Sequence, residues 1–390
     1  MHILMVCNSY TTDNMGGSER YIENVSKEMV KLKHKVTILT GRYDSKKPLY
    51  ERNNGIEIIK YNVFNANFLS CWISIFLGVK KKLPTIKNID LIVLHHPQSA
   101  LGAIISNKNI KKVYHFYSCW HKEWISLLSC KKSKIIKYTF FIWLKILPQI
   151  MKYLQKYCLN KSNKIICLSE FSFKELTEIF QCPKEKIEII PGGVDIEKFK
   201  PPIDKTIIKQ KLQLPKNKKI LLTVRRLVPR MGIENLIKAM SLITKECPNT
   251  FLVIVGKGNS LSYYQKIVEN LKLTNQIKFT GFIKDEYLHL YYQIADLFII
   301  PTQELEGFGL VILEALSCGV PVIGTNIGAI PEILKKIDEK LIVKNSLSET
   351  IINFLKQEKK MSFDLRNFVV NNYSWTQIAK KIEKEYLVLK

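Results

Sequence analysis

Short, largely apolar strand-like runs alternate along this chain with longer stretches of helical character. The first run is Ile3 to Val6, followed by a helix-like segment from Glu19 to Lys33 and a second run from Val36 to Thr40. Further runs lie at Leu91 to Leu94, Ile165 to Leu168, Ile220 to Val224, Phe251 to Val255, Ile277 to Thr280 and Leu297 to Ile300. Each precedes a loop and another helix-like segment. A strand apolar on both faces must be covered on both, and the intervening helices supply that cover. The pattern therefore predicts the doubly wound α/β class with parallel sheets. Ligands of such folds sit beyond the carboxyl ends of the strands, and the chemistry is sought there.

The series is interrupted once. Pro191-Gly192-Gly193 leads to Pro201-Pro202, a charged helix spans Asp204 to Lys211, and Ile220 to Val224 starts a second strand-helix series. A length of 390 residues suits two domains, since each holds roughly 100–200 residues and its own core. The expected domains are 1–197 and 198–373, with a C-terminal helix over 374–390 packing back on the first. Two such units facing each other would leave a cleft. The leading stretch Met1 to Cys7 is apolar without a basic leader and reads as a strand, not a signal peptide. No run approaches the ~18 apolar residues of a spanning helix. The nine cysteines (Cys7, Cys71, Cys119, Cys130, Cys158, Cys167, Cys182, Cys247, Cys318) form no C-x-x-C pair. They read as reduced, mostly buried thiols of a cytosolic protein, neither a disulfide framework nor a zinc site.

Charge narrows the partners. Sixty Lys+Arg against 34 Asp+Glu give a net +26, which attracts nucleic acid, a phosphate-rich ligand or an acidic membrane. Residues 71–170 hold 17 Lys+Arg against only Asp90, Glu123 and Glu170. Interleaved with them are the aromatic-rich segments Phe68 to Leu77, followed by Lys80-Lys81-Lys82, and Tyr138 to Leu147. Apolar segments flanked by lysines resemble helices lying in a membrane interface; the competing reading is core helices whose lysines point into water. No recognisable RNA or DNA module accompanies the charge, so no nucleic-acid partner is expected.

The strongest chemical signal is Glu306-Gly307-Phe308-Gly309-Leu310-Val311-Ile312-Leu313-Glu314, directly after the run Leu297 to Ile300 and Pro301. Glycines at a strand-to-helix turn expose backbone N–H groups at a helix N-terminus, which suits a diphosphate or a sugar hydroxyl. Glu314, inside that helix, can accept from both hydroxyls of a ribose. Two solvated helix acids are the bland alternative; the glycines and the preceding strand favour the site.

The string from Leu297 to Leu334, with the E-x7-E element, Gly319-Val320-Pro321-Val322 and Gly328-Ala329-Ile330-Pro331-Glu332, resembles the donor-site signature of glycosyltransferase family 4 (group 1 type), retaining enzymes of GT-B architecture. Collinear agreement extends to Gly16-Gly17-Ser18-Glu19-Arg20, Ser169-Glu170, Ile190 to Asp195 with Phe199, Arg226-Leu227 with Gly232, and Val255-Gly256-Lys257-Gly258. The resemblance implies two doubly wound Rossmann-like domains facing each other across a cleft, the N-terminal one on the acceptor side and the C-terminal one binding the nucleotide sugar. It implies that Glu314 holds the ribose and that Glu306 lies under the donor sugar. Gly307, Phe308, Gly309 and Leu310 present N–H groups to sugar and phosphate, and Gly16, Gly17 and Gly256 join the donor site. Arg226 would neutralise the leaving diphosphate, an interaction that strengthens as charge develops.

Two departures stand out. Relatives read G-R-L and then K-G; here Met231 stands in the lysine's place, with Arg230 as the substitute one residue earlier. Relatives also carry a histidine beside the reacting sugar where this chain has Tyr117, within Tyr114-His115-Phe116-Tyr117-Ser118-Cys119-Trp120-His121. Either Tyr117 supplies the sugar hydrogen bond, or His121 or His115 replaces it, or the sugar differs; His115 is expected on the opposite side of the strand from Tyr117. His95 and His96 end the run Leu91 to Leu94, and Asp195 turns the chain after the glycine loop. No D-x-D pair for Mn²⁺ occurs at a strand end, so no metal and no other cofactor is expected.

The expected reaction is therefore hexosyl transfer, with retention, from a UDP- or GDP-sugar to a hydroxyl of a glycan or lipid-linked acceptor in surface polysaccharide synthesis. The protein is expected in the cytoplasm, in peripheral contact with an anionic membrane at its inner face. A nucleotide-sugar epimerase and a catalytically silent sugar-nucleotide-binding relative are the alternatives.

Overall fold

The structure, a computed structural model, describes residues 1–10, 16–106, 109–129, 138–357 and 363–389, with 127–129 and 138–145 described by their backbone alone. The chain divides into two compact units, Met1–Gly192 together with Trp375–Lys390, and Gly193–Ser374.

The first unit runs β1 (His2–Val6), α1 (Gly17–Lys31), β2 (Lys35–Arg42), β3 (Tyr50–Asn53), β4 (Ile56–Asn62), α2 (Phe68–Lys82), β5 (Leu91–Leu94), α3 (Pro97–Ser106), β6 (Lys112–Phe116), α4 (Trp120–Ser129), α5 (Tyr138–Lys161), β7 (Lys164–Cys167), α6 (Glu170–Lys174) and β8 (Ile187–Ile189). Its sheet has the order β3-β4-β2-β1-β5-β6-β7-β8. β1 is buried along its whole length, as a central strand covered on both faces must be. Leu4, Val6, Leu39, Leu94, Tyr114 and Phe116 pack with Ile75 and Val79 of α2, Ala100 and Ala103 of α3 and Leu159 of α5. Residues of opposite parity face the other way, where His115 meets Tyr21 of α1. One edge departs from the purely parallel expectation: β3 pairs antiparallel with β4. Asn54 and Gly55, at φ 49° and 79°, form the two-residue turn between them, in which both central residues need positive φ.

The second unit runs α7 (Lys205–Lys211), β9 (Lys219–Val224), α8 (Ile233–Glu246), β10 (Thr250–Val255), α9 (Leu261–Asn270), β11 (Ile277–Gly281), α10 (Asp285–Ile294), β12 (Leu297–Ile300), α11 (Leu310–Ser317), β13 (Val322–Thr325), α12 (Ile330–Leu334), β14 (Ile342–Val343), α13 (Leu347–Lys356) and α14 (Leu365–Tyr373). α15 (Trp375–Leu387) follows and belongs to the first unit, where the Tyr386 ring lies 6.0 Å from His115 and the Trp375 ring 5.4 Å from Tyr21. The second sheet is parallel throughout, in the order β11-β10-β9-β12-β13-β14. Counted within the unit, that is the Rossmann order 3-2-1-4-5-6. The order reverses between β9 and β12, and the crevice beyond their carboxyl ends is where such a sheet receives ligand. The first unit reverses in the same way between β1 and β5.

Most thiols are buried: Cys7, Cys119, Cys158, Cys167, Cys182 and Cys318 are, Cys71 and Cys247 are partly so, and none is paired; Cys130 lies outside the described residues. So do residues 130–137 and the side chains of most of the Tyr138 to Leu147 segment.

Candidate active site

At the reversal point of the second sheet, β12 leads into Pro301 and Thr302, and Glu306 to Gly309 turn the chain into α11. Gly309 enters the helix at φ 88° and offers no side-chain cap. No side chain therefore competes with a ligand for the first N–H groups of α11, of which that of Ile312 donates to the Gly309 carbonyl at 2.9 Å. Phe308 contributes backbone only, since its ring is buried, 6.3 Å from that of Tyr373. Glu306 is held by its backbone and its side chain. Its carbonyl accepts from Ala329 N at 2.9 Å. Its Oε2 accepts from Arg225 Nη2 at 2.5 Å and from Thr302 Oγ1 at 3.3 Å. Eight residues on, Glu314 is buried in α11 and its Oε2 accepts from the Tyr292 hydroxyl of α10 at 2.6 Å.

The three candidate cationic positions separate. Arg226 is exposed and has no ion pair among the described residues. Arg230 is buried and donates through Nη1 to the carbonyls of Leu305, at 3.0 Å, and Glu304, at 3.5 Å. It thereby secures a loop whose Leu305 stands at φ 57°, an unfavourable region for a branched side chain. Met231, in the position that the resemblance gives to lysine, is buried apolar core. The glycines after β10 have a packing reason: at Gly256, φ 141°, a Cβ would stand 1.8 Å from the Arg225 carbonyl, and at Gly258 2.2 Å from that of Leu227.

In the first unit, Gly16 caps α1 and Glu19 Oε2 accepts from Gly16 N at 3.1 Å. Glu19 also accepts from Ser18 Oγ at 2.9 Å and Ser9 Oγ at 2.7 Å, so its carboxylate occupies the position an anion would take at this helix start. Gly17 is exposed, with no atom within 4 Å of where a Cβ would stand. Across the reversal, His95 Nδ1 lies 2.7 Å from the Tyr117 hydroxyl, and His96 Nδ1 accepts from Asn8 N at 3.2 Å. The expectation that His115 and Tyr117 lie on opposite sides is corrected. Residues two apart on an extended chain share a face, and both rings lie 5.4 Å from Tyr21. His115 is fully buried between the hydroxyls of Tyr21, at 3.1 Å, and Tyr386, at 2.8 Å; burial pushes its pKa down to about 3. His121 sits on α4 against the Phe180 ring, and desolvation, helped by Lys152 and Lys122, lowers it to about 4. Asp195 Oδ1 accepts from the N–H groups of Glu197 and Lys198 at 3.1 and 3.0 Å and closes a turn. No cluster of three potential metal ligands is present among the described residues.

Sequence reasoning missed Arg225, Thr302 and Tyr292. The first two meet only because β9 and β12 are neighbours in the sheet.

Two doubly wound sheets, the second parallel throughout in Rossmann order and presenting carboxylates and arginines at its reversal point, define a two-unit α/β architecture. The family model for group 1 glycosyl transferases matches residues 204–367, and that for glycosyltransferase family 4 matches residues 15–198. The chain belongs to the GT-B glycosyltransferases of group 1 and family 4 type. It is 26% identical over 404 residues to an uncharacterized glycosyltransferase of Methanocaldococcus jannaschii, covering 100% of this chain and 98% of that protein. It is 22% identical over 403 residues to the GPI3 subunit of the phosphatidylinositol N-acetylglucosaminyltransferase of Saccharomyces cerevisiae, covering 99% of this chain and 82% of that protein. Among solved structures, sucrose-phosphate synthase from Thermosynechococcus elongatus superposes with a TM-score of 0.82 at 20% identity, covering 100% of this chain and 98% of that one.

Proposed function

We propose that this glycosyltransferase moves a hexose, with retention, from a UDP- or GDP-sugar to a hydroxyl of a lipid-linked or glycan acceptor. The observation that carries the reading is the strand-turn-helix at the end of β12. It holds one buried carboxylate, Glu306, before a helix N-terminus that no side chain caps and a second, Glu314, inside the helix. Arg226 stands exposed at the end of the neighbouring strand. In this reading Glu314 takes the ribose, Glu306 the sugar, and the amides from Gly307 to Leu310 the sugar and diphosphate. Arg226 stabilises the leaving diphosphate, and its charge-assisted contacts tighten as the bond to the sugar breaks. Arg230 serves by fixing the loop. A double displacement needs a second carboxylate flanking the anomeric carbon, whereas both glutamates here bind donor. Retention is therefore assigned to a front-face departure, in which the diphosphate oxygen accepts the acceptor's proton. No metal is required in this scheme.

The acceptor side is assigned to the first unit; Gly16 and Gly17 keep the donor role, and Tyr117 the sugar contact, that the family resemblance implies. Support for a lipid-linked acceptor comes from the named activity of the yeast relative on phosphatidylinositol. It also comes from α2, where Leu69, Ile73 and Leu77 lie exposed at a spacing of four beside exposed Lys80 and Lys81. Such a face suits peripheral contact with an anionic bilayer, and the proposed location is the inner face of the cell membrane, in surface polysaccharide synthesis. No described helix is long and apolar enough to cross a membrane.

The test is donor-first. A thermal-shift screen of UDP-, GDP- and ADP-sugars identifies the donor, because a ligand that binds only the folded state raises apparent stability. Glu306→Ala and Arg226→Ala should then each abolish transfer with circular dichroism unchanged. Near-normal turnover in either overturns the site assignment.

A further inference from the structure

We propose that Arg225 is a positioning residue of the donor site: it holds the Glu306 carboxylate turned so that one of its oxygens is left for the sugar. This rests on the donor reading above and adds a residue that the motif leaves unassigned.

Arg225 leaves the end of β9, and Thr302 and Glu306 follow β12, so the three converge at the reversal point of the sheet. Arg225 Nη2 donates to Glu306 Oε2 and to Thr302 Oγ1, each at 2.5 Å. With Oγ1 accepting from the guanidinium, the Thr302 hydroxyl proton is directed to Glu306 Oε2, 3.3 Å away. Oε2 is thus filled by two donors and Oε1 alone remains for a ligand. The side chains of Arg225 and Glu306 are 8% and 12% exposed. Removing one partner of such a pair leaves an uncompensated buried charge.

Two further observations separate this role from ordinary packing. Arg225 Nε is buried with no hydrogen-bond partner, so the guanidinium does not sit where its own donors are best satisfied, as polar groups of stable cores do. The backbone is also fixed for this aim, with Arg225 N donating to Val255 O at 2.9 Å and Gly256 pressed against the Arg225 carbonyl. The adjacent arginines consequently divide the work: Arg225 serves Glu306, and Arg226 stays available to a diphosphate.

Calorimetry with UDP, GDP, UDP-glucose, UDP-N-acetylglucosamine and GDP-mannose supplies the readout. Arg225→Met, which keeps side-chain volume, should weaken the bound nucleotide sugar at least ten-fold relative to its own nucleoside diphosphate, and Arg225→Lys should recover at least part of that loss. Equal weakening of both, or none, overturns the sugar-facing role of Arg225 and leaves the donor reading standing. Binding of none of the five by the wild type overturns the donor reading and that role with it.

Discussion

The hydroxyl of Tyr292 donates to Glu314 Oε2 at 2.6 Å, joining α10 to α11 through two buried side chains. A carboxylate so placed is oriented for the ribose role proposed above. Hydrogen bonds to charged groups contribute about 1.5–3 kcal/mol, and about 1.4 kcal/mol is ten-fold in affinity. Tyr292→Phe should therefore weaken nucleoside-diphosphate binding by roughly ten-fold or more, measured by calorimetry with UDP or GDP. Unchanged affinity would remove Glu314 from the ribose site.

Gly328 stands at φ 58°, and a Cβ there would lie 2.2 Å from the Glu306 carbonyl oxygen. Gly328→Ala must move the loop that positions Glu306, at a cost of about 1–3 kcal/mol for the strained backbone alone. Transfer should fall at least a hundred-fold. Gly281, at φ 71° with no atom within 4 Å of its Cβ position, is the control: Gly281→Ala should lower stability in urea while leaving transfer near wild type.

These positions show what a linear reading captures. β9, β10 and β12 were legible because central parallel strands are apolar throughout, and the turn at Glu306 to Gly309 because glycine marks a strand-to-helix corner. β14, of two residues, is too short to give a pattern. In β4 the buried isoleucines Ile56 and Ile58 alternate with Glu57, the half-covered pattern of a strand near an edge; the Asn54-Gly55 turn was the available signal. The pairing of Arg225 with Glu306, 81 residues apart, has no local signature at all. It follows from strand order, which periodicity does not encode.

Tyr117 and His95 stack at 9° with ring centroids 6.1 Å apart and share a hydrogen bond of 2.7 Å. Burial raises the Tyr117 phenol well above its ordinary range, and burial, with His115 and His96 nearby, holds His95 well below its own. A protonated phenol thus donates to Nδ1 of a neutral imidazole whose Nε2 is buried without a partner. Tyr117→Phe would leave both ring nitrogens unsatisfied and should lower stability by about 1–3 kcal/mol. Urea unfolding with an unchanged midpoint would contradict the pair's structural weight.

His115 makes the stability of the first unit depend on pH in a defined direction. Its ring is enclosed by Tyr21, Tyr386 and His95, and desolvation lowers its pKa to about 3. An unfolded histidine binds a proton near its ordinary value of about 6.5, so between the two values the unfolded chain holds a proton that the native state refuses. Stability from this group is complete above about pH 6.5 and declines as pH falls toward 3, by at most about 1.4 kcal/mol per pH unit. His95 acts in the same direction. His115→Gln can still bond both tyrosine hydroxyls but does not titrate, so its unfolding free energy between pH 7 and 4.5 should fall less steeply than that of the wild type. Parallel curves would show that the imidazole takes up its proton without opening the cluster.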